Sequence, residues 1–424
     1  MGTSRMVKVV ALVVIGSFVA YIGTAGASPA KPPDRGNVNG TLAIGQLAPQ
    51  TGTLSTIVQS LTTPVSMAID EINAAGGVLG QPVQYTLRDD GTDPQVSDDS
   101  LDQLLATDKV DAVVGPASSG SMLGIIDKVR DNGVLDCSGS NTSADLSTTN
   151  SGGYYFRTAP SDRLQGPALA QLVLKDGHKK VAIIARDDSY GRGVGTAVKK
   201  SLTEGGAKVV ADVKYDPDSQ TFGNDVKRAA AKKPDAVIAL GFDNDGSDII
   251  RTMIGQGLGP QQIPIYTADS LRTNSFAALV DPNNPGVVAG IKGTSPAAAP
   301  AGVQNPFADK FSATGVEPIF SAYYYDCTIL TALAAEKAKS DDPAKMKKAF
   351  AANTRGKEKC NTYADCNKLL DEGKTIQYEG ASAVFRHMNK FGTFEPNAGV
   401  YEVWSFDDMG RDVAQPPDTQ IRIG

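Results

Sequence analysis

From residue 41 onward the chain alternates between short runs rich in β-branched and apolar residues and longer segments of helical period, with Gly, Pro, Asp and Asn at the joints. Repetition of this kind commits a chain to βαβ units, and hence to a parallel sheet covered by helices on both faces. The first series predicts strands at Thr41 to Leu47, Val83 to Arg88, Ala112 to Gly115 and Val134 to Cys137, with helices near 56–74, 95–108 and 119–131. A second series predicts strands at Val181 to Arg186, Val209 to Tyr215, Ala236 to Gly241 and Ile263 to Thr267, with helices near 161–175, 191–204, 222–232 and 245–256. Phe156-Arg157-Thr158-Ala159-Pro160 joins the two as a short extended link, and Ser161 with Asp162 then offers a helix cap. Two tandem units of one kind make this an α/β protein of two similar lobes. A further strand is expected near Val288 to Gly293, followed by the Ala- and Pro-rich stretch Thr294 to Gln304 and helices over about 317–338 and 343–352. These late helices bring too few strands for a third domain. They are expected to return to the first lobe, and Tyr401 to Phe406 to rejoin the second as a strand.

The amino terminus carries Arg5 and Lys8, an apolar run from Val9 to Ile22, and small residues from Gly23 to Ala27. That order is a secretory signal over residues 1–27, with Ala25-Gly26-Ala27 as the processing site. An uncleaved anchor is the competing reading. No Cys follows the run, which argues against a lipid anchor, and no later segment has the length of a membrane span, so the processed chain is expected to be exported and soluble. Removing Arg5 and Lys8 and no acid takes the formal net charge from -6 to -8, which disfavours a nucleic-acid partner. Four cysteines in an exported chain point to two disulfides. Cys360 and Cys366 are close enough to shut a local loop, leaving Cys137, at a strand end, for Cys327 in a helix. Zinc is the competing use of four cysteines, but the close pair has the wrong spacing and no His nearby.

Residues for acid-base or nucleophilic chemistry are scarce. The chain has two His, His178 in a turn before a strand and His387 in a polar segment, both read as surface residues. No phosphate loop, H-E-x-x-H or G-x-S-x-G occurs, and Gly191 to Gly195 lacks dinucleotide-loop spacing. Asp243, Asp245 and Asp248 lack the terminal Glu of a calcium loop and read as capping and loop-solvating residues. No catalytic residue, metal or cofactor is therefore expected. The informative places are the carboxyl ends of the strands, where open parallel sheets bind ligands. Pro116-Ala117-Ser118-Ser119-Gly120-Ser121 follows one strand and opens a helix; Ser138-Gly139-Ser140-Asn141-Thr142-Ser143 follows the next. Each alone is an ordinary cap. Together, free amides and hydroxyls at adjacent strand ends suit a carboxylate. Asp269, after the strand ending at Thr267, is placed to meet an ammonium.

The run Ala68-Ile69-Asp70-Glu71-Ile72-Asn73-Ala74-Ala75-Gly76-Gly77-Val78-Leu79-Gly80 resembles the first helix and turn of the periplasmic Leu/Ile/Val-binding protein family. Val113 to Pro116, Phe156 to Asp162 with Gln165-Gly166, Asp188-Ser189-Tyr190-Gly191-Arg192-Gly193 and Pro234 to Val237 are similar to its later signatures, in order, over roughly 40–340. The resemblance implies a two-lobed type I periplasmic-binding-protein fold with three interlobe crossovers. On that reading lobe 1 comprises 38–158 and 294–397, and lobe 2 comprises 159–293 and 398–424. It implies a monomeric, non-enzymatic protein that closes on an amino acid, branched-chain or otherwise apolar, and hands it to an ABC transporter permease. The ligand carboxylate then falls to Ser119, Ser140 and Thr142, the ammonium to Asp269 and Tyr190, and a further aromatic contact to Phe242. Asp269 is shorter than the family's usual Glu, and the tail from 355 onward departs from the family pattern. The rival readings are the same fold holding an amide, urea or small organic acid, and a sensory protein that reports its ligand to a receptor.

Overall fold

A computed structural model describes residues 1–2, 38–297, 306–382 and 392–424. The expected secretory signal, His387 and the later part of the Ala- and Pro-rich stretch lie outside these residues. The first sheet is wholly parallel, in the order β2-β1-β3-β4-β5: β1 is Ala43–Ala48, β2 Gln84–Asp89, β3 Ala112–Val114, β4 Leu135–Ser138 and β5 Tyr155–Arg157. The helices between them are α1 (Val58–Ala74), α2 (Pro94–Ala106) and α3 (Ser119–Asn132). Asp93 caps α2 with Pro94 at its first position, and Ser118 caps α3, so short polar side chains start these helices as the sequence suggests.

The second sheet runs β7-β6-β8-β9-β10 in parallel: β6 is Lys180–Arg186, β7 Lys208–Tyr215, β8 Ala236–Leu240, β9 Ile265–Thr267 and β10 Lys292–Pro296. Between these lie α4 (Asp162–Lys175), α5 (Ser189–Glu204), α6 (Gly223–Ala230), α7 (Asp243–Gly255) and α8 (Phe276–Val280). The all-apolar runs of β6 and β8 are buried on both faces, as a sheet covered by two helix layers requires. The strand expected at Val288 to Gly293 is displaced. Pro285–Val288 forms a 3₁₀ turn and Gly290 has φ +89°, so the chain turns where a strand was expected and pairs only from Lys292.

The remaining chain returns to the first sheet. After α9 (Phe307–Ser312), helix α10 (Ser321–Ala338) is buried all round from Ser321 to Glu336, between α1, α11 (Pro343–Ala352) and the strands β3 and β4. Cys137 of β4 is bonded to Cys327 of α10, Cα atoms 5.7 Å apart, which fixes the returning helix to the sheet. The tail carries a parallel pair, β11 (Glu358–Cys360) and β12 (Ile376–Tyr378), around α12 (Tyr363–Asp371), and the Cys360–Cys366 bond closes its first loop. The final stretch joins the second sheet: β13 (Gly399–Phe406) pairs antiparallel with β10, and β14 (Asp412–Ala414) and β15 (Ile421–Ile423) pair with β13.

The chain thus passes between the two sheets three times: after β5, after β10 and before β13. The first and last passages are tied together. Arg157, fully buried, pairs with Glu395 and donates to Ser147 Oγ at 2.6 Å and to the carbonyls of Asn141 and Ser143 at 3.2 and 2.8 Å, while its amide donates to the carbonyl of Phe394 at 2.8 Å. That guanidinium also holds the loop after β4 in place at the cleft.

Candidate functional site

The carboxyl ends of both sheets face one another across a cavity. On the first-sheet side, Gly115 ends β3 with φ +119°, where a Cβ would lie 2.1 Å from the carbonyl oxygen of Leu47, so only glycine fits there. Buried Asp90 accepts the Ala117 amide at 2.8 Å, and Ser118 Oγ accepts the Ser121 amide at 3.0 Å. The start of α3 is thereby aimed into the cavity with its first amides lacking partners inside the helix. Ser119 Oγ accepts the amides of Thr142 and Ser143 at 3.2 and 3.1 Å, leaving its own O–H to donate inward. The two hydroxyl clusters are one constellation, clasped at Ser119.

Ser140 and Thr142 also line the cavity, with different commitments. Ser140 Oγ lies 2.8 Å from the Ala117 carbonyl, to which it donates, and 3.0 Å from the Tyr324 phenol. Its proton is used within the first lobe, so it shapes the wall. The Thr142 carbonyl accepts the Asp162 amide at 2.7 Å, which ties the wall to the first crossover.

On the second-sheet side, Asp269 begins a 3₁₀ turn directly after β9. Tyr190 stands in the first turn of α5, whose N-cap Asp188 accepts the Gly191 amide at 2.8 Å. The Tyr190 ring stacks on Phe242 at 5.3 Å between centroids, and the Arg186 guanidinium lies 3.7 Å from the other ring centre, held by Asp188 and Asp245 at 2.6 and 2.8 Å. Asp269 is only 5% exposed. Its Oδ1 accepts from the Gln165 amide and from the Tyr190 phenol at 3.3 Å, although that phenol is nearer Ser270 Oγ, at 2.8 Å. Burial, partly offset by these donors, raises the Asp269 carboxyl to about 6. No Lys, Arg or His lines the cavity to balance it.

All six residues singled out from the sequence, Ser119, Ser140, Thr142, Tyr190, Phe242 and Asp269, therefore meet at one cavity. The sequence reading did not find the rest of the wall. Leu54 and Ile57, just past the turn after β1, and Ile319 and Phe320, just before α10, supply apolar surface. Helix α10 was expected to start near 317; it starts at Ser321, after Phe320 takes a left-handed backbone at φ 55°, an uncommon conformation for an aromatic residue. Asp243 is not a loop-solvating residue: it is 2% exposed, opens α7, and accepts from Thr56 Oγ1 across the cleft at 2.7 Å and from Thr273 Oγ1 at 3.0 Å. Asp245 reaches back to the Phe242 amide at 3.3 Å, as the capping role predicts. Among the described residues no cluster of three or more His, Cys, Asp or Glu is arranged to hold a metal ion, and no helix is long and apolar enough to cross a membrane.

A family model described as "Periplasmic binding protein" matches residues 41–357. A leucine-, isoleucine-, valine-, threonine- and alanine-binding protein of Pseudomonas aeruginosa is 27% identical over 374 residues, covering 83% of this chain and 90% of that protein. A Leu/Ile/Val-binding protein of Rhizobium johnstonii is 31% identical over 216 residues, half of this chain and 58% of its own length. Among solved structures, the branched-chain amino acid transporter substrate-binding protein LivJ of Streptococcus pneumoniae, in complex with isoleucine, superposes with a TM-score of 0.71 at 22% identity over 90% of this chain and 99% of that one. A solute-binding protein of an R. palustris ABC transporter, in complex with benzoate, gives 0.68 at 20% over 88% and 95%. At such identities the structural likeness is one of fold.

Proposed function

Because this chain belongs to the family of periplasmic binding proteins, we propose that it captures an α-amino acid with an apolar side chain by hinge closure and delivers it to an ABC transporter permease. The lobes divide as 38–158 with 294–397 and 159–293 with 398–424, and the ligand lies between them. The observation that carries the ligand class is Asp269: a carboxyl buried at the wall of a cavity that no basic side chain lines calls for a cationic group from the ligand. An ammonium there is also close to the stacked Tyr190–Phe242 pair, whose π faces favour it. The ligand carboxylate falls at the start of α3, on the Ser119 O–H and the free amides, where the helix end favours negative charge. Thr142 borders this end, and Ser140 holds the wall that supports it. The ligand side chain lies along Leu54, Ile57, Ile319 and Phe320.

Closure matters because a ligand shifts a two-state hinge only as far as it binds one state better. Thr56 with Asp243, and Ser143 Oγ with the Ser189 carbonyl at 3.3 Å, are contacts between the lobes that hold the cleft closed. The protein works outside the cytoplasm, processed after Ala27, as a monomer without catalytic activity or cofactor, and its closed form is what the permease reads. The rival is a small organic acid, the ligand class of the benzoate-bound neighbour. An anion beside Asp269 would meet repulsion, which favours the zwitterion. A thermal-shift screen of residues 28–424 against the twenty amino acids, benzoate, urea and short amides tests this. Leucine, isoleucine or valine should raise the melting temperature; a rise with benzoate alone would overturn the ligand class.

A further inference from the structure

The ligand cavity has a neighbour. A second cavity shares three of its lining residues, Asp269, Ile319 and Phe320, so the two spaces meet at a partition made by the Ile319–Phe320 segment. That segment is irregular chain held between α9 and α10, with Phe320 at φ 55° and its side chain only half-buried.

The second space differs from the first in charge. Three carboxyl groups face it, those of Asp269, Glu317 and Asp412, against one guanidinium, that of Arg272. Arg272 is already engaged: its Nη1 lies 2.7 Å from Glu402 Oε2 and 2.7 Å from Ser295 Oγ, and its Nε lies 3.0 Å from Asp412 Oδ2. Among the described residues Glu317 forms no ion pair; Oε1 accepts one hydrogen bond, from the Asn274 amide at 2.8 Å. The Oδ2 of Asp269, in a side chain nine-tenths buried, takes no hydrogen bond from another residue among those described. Asp269 borders both spaces and Glu317 only the second, and among the described residues neither is in an ion pair, although Arg272 also lines the second space; two such carboxyls suit a ligand with two cationic groups.

We infer that the site also accepts α-amino acids with a long cationic side chain, the α-ammonium at Asp269 and the distal cation at Glu317, past a displaced Phe320. This rests on the amino-acid reading of the first cavity and extends it. Burial, with Asp412 close by, pushes the Glu317 carboxyl up to about 7 despite the Asn274 amide and the Arg272 guanidinium, which act the other way. Lysine is suited to such a passage because its compact ammonium sits on a flexible four-carbon stem.

The test is isothermal titration of the processed chain with L-lysine, L-ornithine and L-norleucine, a neutral homologue of lysine's stem, on wild type and Glu317→Gln. Gln keeps an acceptor for the Asn274 amide and removes the charge. The expected result is measurable lysine binding to wild type, and a ratio of lysine to norleucine dissociation constants that rises at least tenfold in the variant. Taking the ratio cancels any change in closure common to both ligands. Norleucine binding without lysine binding, or a ratio unmoved by Glu317→Gln, would overturn the distal site and leave the amino-acid reading standing. Failure of every amino acid, norleucine included, would overturn both.

Discussion

Replacing Asp269 by Asn should weaken ligand binding and stabilise the empty protein, two effects of opposite sign from one buried charge. A unit-charge pair about 4 Å apart, at an effective dielectric near 20, is worth about 4 kcal/mol before the ammonium's lost hydration is counted. Truncating one partner of a buried charged contact costs about 2 to 5 kcal/mol in binding, or a dissociation constant about 30-fold to about 4,000-fold higher. The unliganded protein moves the other way. Its Asp269 carboxyl is raised from 3.8 to about 6 by burial, so above pH 6 the native state holds a charge that the unfolded chain carries more easily. At about 1.4 kcal/mol per pH unit that strain is roughly 3 kcal/mol, and Asn removes it. Titration calorimetry with leucine and a thermal melt without ligand, both at pH 7.5, read the two effects. A dissociation constant within threefold of wild type would refute the ammonium contact. Weaker binding with a lower unliganded melting temperature would show that Asp269 supports the fold instead.

Three further outcomes follow from the same geometry. Thr56→Val removes the only donor that reaches Asp243 from across the cleft among the described residues, and at about 1.5 kcal/mol or more for a hydrogen bond to a charged acceptor should raise the leucine off-rate tenfold or more with a smaller change in on-rate; an unchanged off-rate by stopped flow would refute the latch. Because the ligand's cation favours ionised Asp269 and the empty site holds its proton up to about pH 6, binding below that pH must release a proton, so affinity should be flat above pH 7 and fall toward tenfold per unit below about 6; a flat profile from pH 5 to 8 would contradict this. Loop-closure entropy assigns the Cys137–Cys327 bond, 190 residues apart, about 5 kcal/mol and the Cys360–Cys366 bond, 6 apart, about 2, so paired Ala variants in urea should lose stability in that order, and the reverse order would refute the entropic account.

The parts that the sequence made legible share a physical cause. Strands such as β6 and β8 show as unbroken apolar runs because both faces are covered, and helix starts show because Ser118, Ser161 and Asp188 must satisfy exposed amides. Of the six cavity-lining residues singled out, Ser119, Ser140, Thr142 and Asp269 were reached by one rule, that ligands sit at the carboxyl ends of parallel strands, and Tyr190 and Phe242 by family likeness alone. What stayed hidden had no local signature. β11 and β12 are three residues each and carry Glu358, Lys359 and Gln377, without the apolar run that marked the equally short β3 and β9. Ile319 and Phe320 reach the cavity only because α10 returns from far along the chain, and the helical pattern that follows them masked the irregular segment. Asp243 looked like a cap because it lies two residues before Asp245, which is one; its partner Thr56 lies 187 residues away.

The placement of charge explains why this cleft binds and does not merely pack. The buried guanidiniums that serve the fold are paired: Arg157 with Glu395 between the crossovers, Arg186 with Asp188 and Asp245 behind Phe242. Those pairs hold the walls in register and need nothing from outside. Asp269, like buried Asp326, has only neutral donors, here the Gln165 amide and the Tyr190 phenol, which orient the carboxyl without neutralising it; unlike Asp326, it lines the cavity. A neutral donor set keeps the group aimed while leaving most of its electrostatic demand unmet, and that demand is what a closing lobe can bring to bear on a captured ammonium. Pairing Asp269 with a built-in Lys or Arg would make the empty protein more stable and the cleft indifferent to its ligand, which is the trade that strained functional groups express.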